Sequence, residues 1–213
     1  VEGLANGGIH DICIVTGYLA ETIEAYFGTG EKWKVRISYV RQEVPEGTAR
    51  AALLARDFVG DDSFILTYAD ILVRPDTYAR MLYAFDEHIH DGLVTVTVGE
   101  DIRKGGLYFF DDDFILTKVV EKPTDQELLT LEAEGHIKIG TTLWYNAGIY
   151  FFKSKMFRYA EVIPKSSRGE YELTDVIAMM IADGNKLKGL KLEGLWADVR
   201  DPEVLAALDG SGH

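Results

Sequence analysis

The hydrophobic positions in the first half of the chain form short apolar runs separated by amphipathic stretches. Asp11–Thr16, Ser63–Tyr68 and Leu93–Val98 are apolar or β-branched at most positions, which is typical of strands buried on both faces. The stretches between them have helical spacing, and one opens on Pro75. This alternation favours a parallel sheet covered on both sides. The predicted strands are Asp11–Thr16, Val35–Val40, Ser63–Tyr68 and Leu93–Val98, and the predicted helices are Leu19–Phe27, Thr48–Phe58 and Pro75–His88.

The second half of the chain combines a hairpin with further strands and helices. Leu107–Phe110 and Ile115–Val120 flank three aspartates and predict an antiparallel hairpin. Thr124 and Glu127 have the spacing of a helix-capping box. We therefore predict one mixed α/β domain over residues 1–208, followed by a linker or tag remnant at residues 209–213. The other predicted elements are a helix from Thr124 to about Gly135, strands at Leu143–Phe152 and Lys186–Leu192, and helices at Tyr171–Ala182 and Pro202–Leu208.

The chain is acidic, with 35 Asp and Glu residues against 22 Lys and Arg and a formal net charge of -13. Such a surface repels nucleic acid and anionic membranes, so we expect neither as a partner. It suits phosphate-bearing substrates only where Mg²⁺ or a few placed cations offset the charge. Cys13 is the single cysteine, so an intramolecular disulfide is excluded and a reducing, cytoplasmic location is expected. No apolar stretch reaches the roughly 18 residues that a membrane span needs.

Polar residues follow two predicted strands in the first half. Gln42 comes after a strand, and its amide can donate and accept hydrogen bonds, as the edge of a pyrimidine base requires. Gly47 would let the backbone at a helix start approach a ligand closely, although a plain turn explains both residues without a ligand. Asp70 directly follows Ser63–Tyr68, at the edge of an open sheet where ligands bind. It is a candidate Mg²⁺ ligand, with a helix cap or turn role as the alternative.

Charged residues follow two strands in the second half. Glu121 and Lys122 end an apolar strand, where a carboxylate can accept from sugar hydroxyls and an ammonium group can hold a phosphate. A solvated strand end is the alternative interpretation. Asp198 follows Trp196 and is a second candidate metal ligand, unless it is only a turn carboxylate.

Taken in order, these stretches resemble the sugar-1-phosphate nucleotidyltransferase family, which includes glucose-1-phosphate thymidylyl- and uridylyltransferases. Each motif is weak alone, but seven in the same order from residue 1 to about residue 208 are a specific signal. The motifs are Tyr39–Ala49, Tyr68–Asp70, Gly106–Asp111, Val119–Pro123, Tyr145–Tyr150, Arg168–Asp175 and Trp196–Val199.

The resemblance implies a Rossmann-like three-layer fold, with a mixed, mostly parallel sheet and a small sugar-side lobe. It implies a Mg²⁺-dependent enzyme that transfers a nucleotidyl group from a nucleoside triphosphate, with dTTP or UTP favoured, to a sugar 1-phosphate, with glucose 1-phosphate favoured. Pyrophosphate leaves, and no catalytic His or Cys is needed. By this resemblance Gln42, Gly47 and Thr48 contact the base, Asp70 and Asp198 hold Mg²⁺, Gly106 and Glu121 contact the sugar, Lys122 binds its phosphate, and Asn146 and Gly148 line the sugar pocket.

The sequence also departs from the family pattern. Family members carry a Gly-rich loop with an Arg, then a Pro–Lys pair, before the position of Val1, together with a strand that is central in their sheet. We expect the chain to be inactive without that segment. Ala69 stands where the family has Gly, and Arg200 and Asp201 stand where it has Gly and Thr. These differences bear on the shapes of the two acidic loops.

Three other functions fit parts of the sequence. A catalytically inactive homologue could bind a sugar nucleotide and regulate a partner. A phosphocholine-type cytidylyltransferase would need an aromatic cage, for which Trp144, Tyr145 and Tyr150 are candidates. A glycosyltransferase could use the three aspartates at 111–113 as a metal motif, but a solvated hairpin turn explains them better. We also expect exposed aromatic residues around Trp144 to favour a homo-oligomer.

Overall fold

The computed structural model describes residues 1–199, and this part of the chain folds into helices and strands around a mixed sheet. Two single 3₁₀ turns, Glu31–Trp33 and Ile102–Lys104, complete the regular structure of these residues. The helices are α1 (Glu2–Asn6), α2 (Ala20–Phe27), α3 (Thr48–Leu54), α4 (Arg56–Val59), α5 (Thr77–Ala84), α6 (Asp125–Ala133), α7 (Met156–Val162) and α8 (Leu173–Ala182). The strands are β1 (Asp11–Thr16), β2 (Arg36–Arg41), β3 (Ser63–Thr67), β4 (Ile71–Val73), β5 (Gly92–Thr97), β6 (Gly106–Phe110), β7 (Leu116–Glu121), β8 (Trp144–Lys153), β9 (Leu187–Lys191) and β10 (Trp196–Asp198).

The largest sheet is built around β8. Its order is β7-β6-β8-β5-β9, and β3 pairs with β8 on the same edge as β6. β5 and β9 are parallel, and the other pairs in this sheet are antiparallel. β1 and β2 form a separate parallel pair, and β4 and β10 a separate antiparallel pair. Among residues 1–199, the largest sheet is therefore mixed: β5 and β9 form its one parallel pair, and its other pairs, including that of the apolar run β3 with β8, are antiparallel.

Helices cover both faces of this sheet, and side chains of β8 enter both cores in turn. Tyr150 and Phe152 pack into the core formed with α3, α7 and α8. Ile149 and Phe151 pack into the opposite core with α1 and α5. Because successive strand residues point to opposite faces, one apolar strand serves two cores. The three-layer α/β fold that the sequence predicts is confirmed.

A third, smaller core forms a lobe beside β6. Leu107 and Phe109 pack against Leu131 of α6. The predicted capping box starts this helix: Thr124 Oγ1 accepts from Glu127 N, and the Glu127 carboxylate accepts from Thr124 N. This lobe lies next to β6 and β7, which carry Gly106 and Glu121, the residues expected to contact the sugar.

Several elements differ from the sequence predictions. The helix predicted over Thr48–Phe58 breaks at Ala55, where ψ of 0° interrupts the helical backbone. The strands β4 and β10 were not predicted, because three residues carry no readable periodicity. The predicted helix Pro202–Leu208 and the tail at 209–213 lie outside the described residues. Within residues 1–199, no helix combines the length and apolar character needed to cross a membrane.

We predict that Thr124→Ala lowers the stability of the protein by about 1 kcal/mol, because it removes the cap of α6. The midpoint of thermal unfolding should fall by roughly 2–4 °C. Thr130→Ala is the matched control, since this threonine in the same helix bonds only the preceding turn through Gln126 O. Equal losses in both variants would contradict a capping role.

Candidate active site

The central feature of the site is a bulge in β8 at Gly148. Between Val94 and Val96 the strand β5 advances two residues, while β8 advances four, from Asn146 to Tyr150. Gly148 has φ of +76°, a backbone conformation that glycine adopts at little cost. A bulge bends its strand and redirects the side chains beside it. The Asn146 side chain turns back here, and its Oδ1 accepts from Gly148 N at 3.1 Å.

Three neighbouring segments bond the backbone carbonyl groups around the bulge. The indole Nε1 of Trp196 donates to Ala147 O at 3.0 Å. The buried hydroxyl of Thr95 donates to Ile149 O at 2.7 Å. Tyr68 N donates to Gly148 O at 3.0 Å. Because Tyr68 precedes Asp70 and Trp196 precedes Asp198, these bonds fix both acidic segments to β8.

Asp70 and Asp198 are neighbours in the backbone although 128 positions separate them in the sequence, from 70 to 198. In the antiparallel pair of β4 and β10, Asp198 stands opposite Ile71. Val199 N donates to Asp70 O at 2.8 Å. Two carboxylates with substrate phosphates are the oxygen ligands that Mg²⁺ commonly uses in proteins. Within residues 1–199, no group of three or more His, Cys, Asp or Glu side chains is arranged to hold a metal by itself.

Close packing beside β6 brings together Gly106, Glu121 and Asn146. Gly106 pairs with Glu121 across β6 and β7. A Cβ placed on Gly106 would lie 3.2 Å from Asn146 Cβ, 3.3 Å from Glu121 Oε2 and 2.9 Å from Tyr108 Cε1. A larger residue at position 106 would require these neighbours to move. The structure thus brings together the residues that we expect to contact the sugar.

Burial raises the pKa of Glu121. A hydrogen bond from Thr174 lowers this pKa, the nearby Glu172 raises it, and the cations Lys122 and Arg168 lower it. Desolvation is the largest of these effects, so the site holds a carboxylate whose charged form is disfavoured. Such a group accepts well from hydroxyl donors that replace the lost water.

Arg168 lies beside a cluster of carboxylates at the start of α8 and forms ion pairs with two of them. Its Nη2 lies 2.9 Å from Glu172 Oε1 and 3.9 Å from Glu121 Oε1. Burial and the adjacent Glu172 raise the pKa of Asp175, and Arg168 lowers it. The motif Arg168–Asp175 was part of the resemblance, but the sequence assigned no role to Arg168 or Glu172.

Lys122 stands at a strained backbone position. Its φ is +45°, and its N–H donates to Gly105 O at 3.0 Å to close the turn after β7. A left-handed conformation costs a non-glycine residue roughly 1–2 kcal/mol. Pro123 follows and is buried, so the turn is rigid. The structure holds the Lys122 side chain at the edge of the Glu121 site at a conformational cost, a pattern common at functional sites.

The turn expected on the nucleotide side is bonded to the segment before α8. A Cβ at Gly47 would lie 2.5 Å from Tyr171 O, so the close approach that we expected from a ligand is made here by protein backbone. Ala49 N donates to Tyr171 O at 2.9 Å, and Leu173 N donates to Thr48 Oγ1 at 2.9 Å. Contact of Gly47 and Thr48 with a base stays a prediction.

Gln42 lies at the end of β2, where its N–H donates to Thr16 O at 2.7 Å. Its side-chain Nε2 is shielded from solvent and has no hydrogen-bond partner among residues 1–199. A buried amide donor without a partner costs about 1–3 kcal/mol, so this nitrogen is a candidate ligand contact.

The aromatic and acidic residues of the alternative functions are engaged in packing. Trp144 is half-buried against Phe114, so it does not provide the exposed aromatic surface that we expected there. Tyr145 packs edge-on against Trp196, while Tyr150 stacks elsewhere, on Phe152. These rings have different partners, and this arrangement does not resemble a choline cage. A homo-oligomer stays a prediction.

The three aspartates at 111–113 lie in the turn between β6 and β7. The Asp111 carboxylate accepts from Asp113 N at 3.1 Å and from Ile115 N at 2.8 Å. A side chain that bonds the backbone of its own turn is a common way to form a hairpin connection. The geometry agrees with the solvated turn that the sequence favoured.

Comparison with known proteins gives a consistent result. Residues 1–208 match the family model described as "Nucleotidyl transferase". The chain is 30% identical over 204 residues to the low-salt glycan biosynthesis nucleotidyltransferase Agl11 of Haloferax volcanii, covering 95% of this chain and 53% of that protein. It is 28% identical over 207 residues to a glucose-1-phosphate thymidylyltransferase of Streptomyces griseus, covering 93% and 52%. The chain therefore spans about half the length of the curated relatives it matches.

A solved structure shares the fold. A Bacillus anthracis protein, crystallised with sucrose and described as a glucose-1-phosphate thymidylyltransferase, superimposes with a TM-score of 0.81 at 24% identity. The match covers 98% of this chain and 78% of that one. At this level of identity the likeness concerns the fold alone.

We predict that Glu121→Gln makes the protein more heat-stable at pH 7.5. The pKa of Glu121 is raised in the folded state, so the buried carboxyl does not reduce stability while it is protonated, below its unfolded pKa. As pH rises through the folded pKa, the carboxyl ionises and the free energy of unfolding falls. Gln stays neutral and avoids this loss. The advantage of the variant should shrink toward zero as pH falls below about 4.3. Thermal unfolding of both proteins from about pH 3.5 to about pH 8 measures this difference.

Glu127→Gln is the matched control with the opposite sign. The hydrogen bond from Thr124 N lowers the pKa of Glu127, so this carboxylate stabilises the fold above its unfolded pKa and loses that effect as pH falls. Its variant should be less stable than the parent at pH 7.5. A Glu121→Gln variant that is also less stable at pH 7.5 would contradict our account of Glu121.

Proposed function

Because this chain belongs to the nucleotidyl transferase family, we propose that it transfers a nucleotidyl group from a nucleoside triphosphate to a sugar 1-phosphate and releases pyrophosphate. Glucose 1-phosphate is the favoured acceptor and dTTP or UTP the favoured donor. The Streptomyces griseus relative is named a glucose-1-phosphate thymidylyltransferase, which supports glucose 1-phosphate as the acceptor and dTTP as the donor.

The observation that carries this proposal is the pairing of β4 with β10, which sets Asp198 beside the Asp70 segment. In our proposal both carboxylates hold Mg²⁺. When bound, the ion would neutralise phosphate charge and orient the triphosphate.

The reaction needs alignment and charge neutralisation more than proton transfer. An ionised oxygen of the sugar phosphate attacks the α-phosphorus, a new P–O bond forms, and the bond to the β-phosphate oxygen breaks with pyrophosphate as the leaving group. No general base is required, because the attacking oxygen already lacks a proton near neutral pH. Lys122 binds the sugar phosphate, while Glu121 and Asn146 accept from and donate to the sugar hydroxyls, which holds the nucleophile in line.

On the nucleotide side, the unpartnered Nε2 of Gln42 supports contact with a base. An amide offers one donor and one acceptor side by side, as thymine and uracil require. This feature favours dTTP or UTP as the donor.

The test is pyrophosphate release by the full-length protein with Mg²⁺, given each common nucleoside triphosphate in turn with a panel of sugar 1-phosphates. We expect turnover with glucose 1-phosphate and either dTTP or UTP, abolished by chelation of the metal. Asp70→Asn and Asp198→Asn should each reduce kcat by about 100-fold or more, because each removes a charge that faces the reacting phosphates.

The matched control replaces the three aspartates at 111–113 with Asn, the same acid-to-amide change in the exposed hairpin turn. Its activity should equal that of the parent, and a large loss would favour the glycosyltransferase interpretation. Tight binding of UDP-glucose without turnover of any substrate pair would replace our proposal with a catalytically inactive, sugar-nucleotide-binding homologue.

A further inference from the structure

The Asn146 amide is held in one orientation by two protein contacts. Its Oδ1 accepts from Gly148 N at 3.1 Å, and its Nδ2 donates to Tyr150 Oη at 2.6 Å. A backbone N–H can only donate, so the oxygen of the amide must face Gly148 and the nitrogen must face Tyr150. The bond to Tyr150 uses one of the two N–H donors of Nδ2, and the bond from Gly148 uses one of the two lone pairs of Oδ1. One N–H and one lone pair of Asn146 remain for a ligand.

The Tyr150 hydroxyl, which bonds this amide, is itself bonded to a second tyrosine. Tyr150 is completely buried, and its hydroxyl donates to Tyr68 Oη at 3.5 Å. The Tyr68 hydroxyl also interacts with the side chain of Thr48. Burial raises the pKa of Tyr68 to about 12 and that of Tyr150 well above its usual range, so both phenols keep their protons.

Asn146 stands at the space that we assign to the sugar. Its Cβ and Glu121 Oε2 lie 3.2 and 3.3 Å from the position that a Cβ on Gly106 would occupy. The buried Tyr150 cannot touch a ligand there, and its hydroxyl acts on the sugar side through the Asn146 amide.

We propose that the Tyr150 hydroxyl is a positioning residue for sugar recognition, which fixes the Asn146 amide so that its free N–H and lone pair meet hydroxyl groups of the sugar 1-phosphate. This inference rests on the proposed function, because it assigns Asn146 to the sugar. An amide held by the Gly148 bond alone could twist about that bond, so its free N–H and lone pair would discriminate less well between hydroxyl configurations.

The Tyr150 ring can be kept while its hydroxyl is removed. The ring stacks on Phe152 with centroids 5.5 Å apart and meets Tyr68 edge-on at 5.9 Å. Tyr150→Phe preserves this packing and deletes only the oxygen that bonds Asn146. We expect the KM for glucose 1-phosphate to rise about fivefold or more, with kcat and the KM for the nucleoside triphosphate within about twofold of the parent.

Tyr159→Phe is the matched control, because the Tyr159 hydroxyl also accepts from an asparagine amide, Asn185 Nδ2 at 2.8 Å. This pair links α7 to the end of α8, and its loss should leave both KM values unchanged. In an Asn146→Ala background, Tyr150→Phe should have no further effect on the KM for the sugar phosphate. Equal changes in both KM values, no change in either, or an additive effect in the double variant would each overturn the proposal.

A second measurement does not depend on turnover. The side-chain amide protons of Asn146, assigned by their absence from the NMR spectrum of Asn146→Ala, should exchange with water about tenfold faster in Tyr150→Phe than in Tyr159→Phe. Unchanged exchange would overturn the positioning role even in an active enzyme. Faster exchange in a protein that turns over no sugar 1-phosphate would refute the proposed function while confirming that Tyr150 holds the amide.

Discussion

The arrangement of the site depends on the bulge at Gly148, because it creates backbone groups that the sheet cannot satisfy. A buried carbonyl or amide without a partner costs about 1–3 kcal/mol, so each group needs a donor or acceptor from elsewhere. Trp196 and Thr95 donate to carbonyl groups beside the bulge, Asn146 accepts from Gly148 N, and Tyr68 N continues the β3 pairing to Gly148 O. Three of the four also place a proposed functional residue: Tyr68 and Trp196 anchor the acidic segments, and Asn146 is itself in the sugar-side space. The same hydrogen bonds therefore satisfy the backbone of β8 and position the proposed site residues.

The buried carboxylates of the site lower the stability of the folded protein. Glu121, Glu172 and Asp175 gather near Arg168, and the pKa values of Glu121 and Asp175 are raised mainly by burial. An acidic chain with a net charge of -13 gains nothing in stability from concentrating further carboxylates in a half-buried position. This arrangement is understandable when the cluster faces hydroxyl donors and a cation-bound phosphate, since functional sites often retain groups that destabilise the empty protein.

The sequence predicted the regular elements well where one segment decides the outcome. β1 spans the residues of its apolar run, and α6 begins at its capping box, since both signals are local. The bulge could not be predicted, because Asn146–Tyr150 also suits an uninterrupted strand and only pairing with Val94 and Val96 inserts the extra residues. Likewise, the sequence identified Asp70 and Asp198 as candidates, but their adjacency depends on two three-residue strands that lack a pattern of their own. The roles of Arg168 and Glu172 depend on tertiary contacts.

The two halves of the proposed site are joined through the segment before α8. Tyr171 bonds the turn that carries Gly47, and the Arg50 guanidinium lies 4.1 Å from the centre of the Tyr171 ring. Glu172, the next residue, bonds Arg168, which lies beside Glu121. A shift of the Gly47 turn therefore cannot occur without moving backbone that is continuous with the carboxylate cluster. This series of contacts joins the turn that we propose for the nucleotide to the cluster that we propose for the sugar.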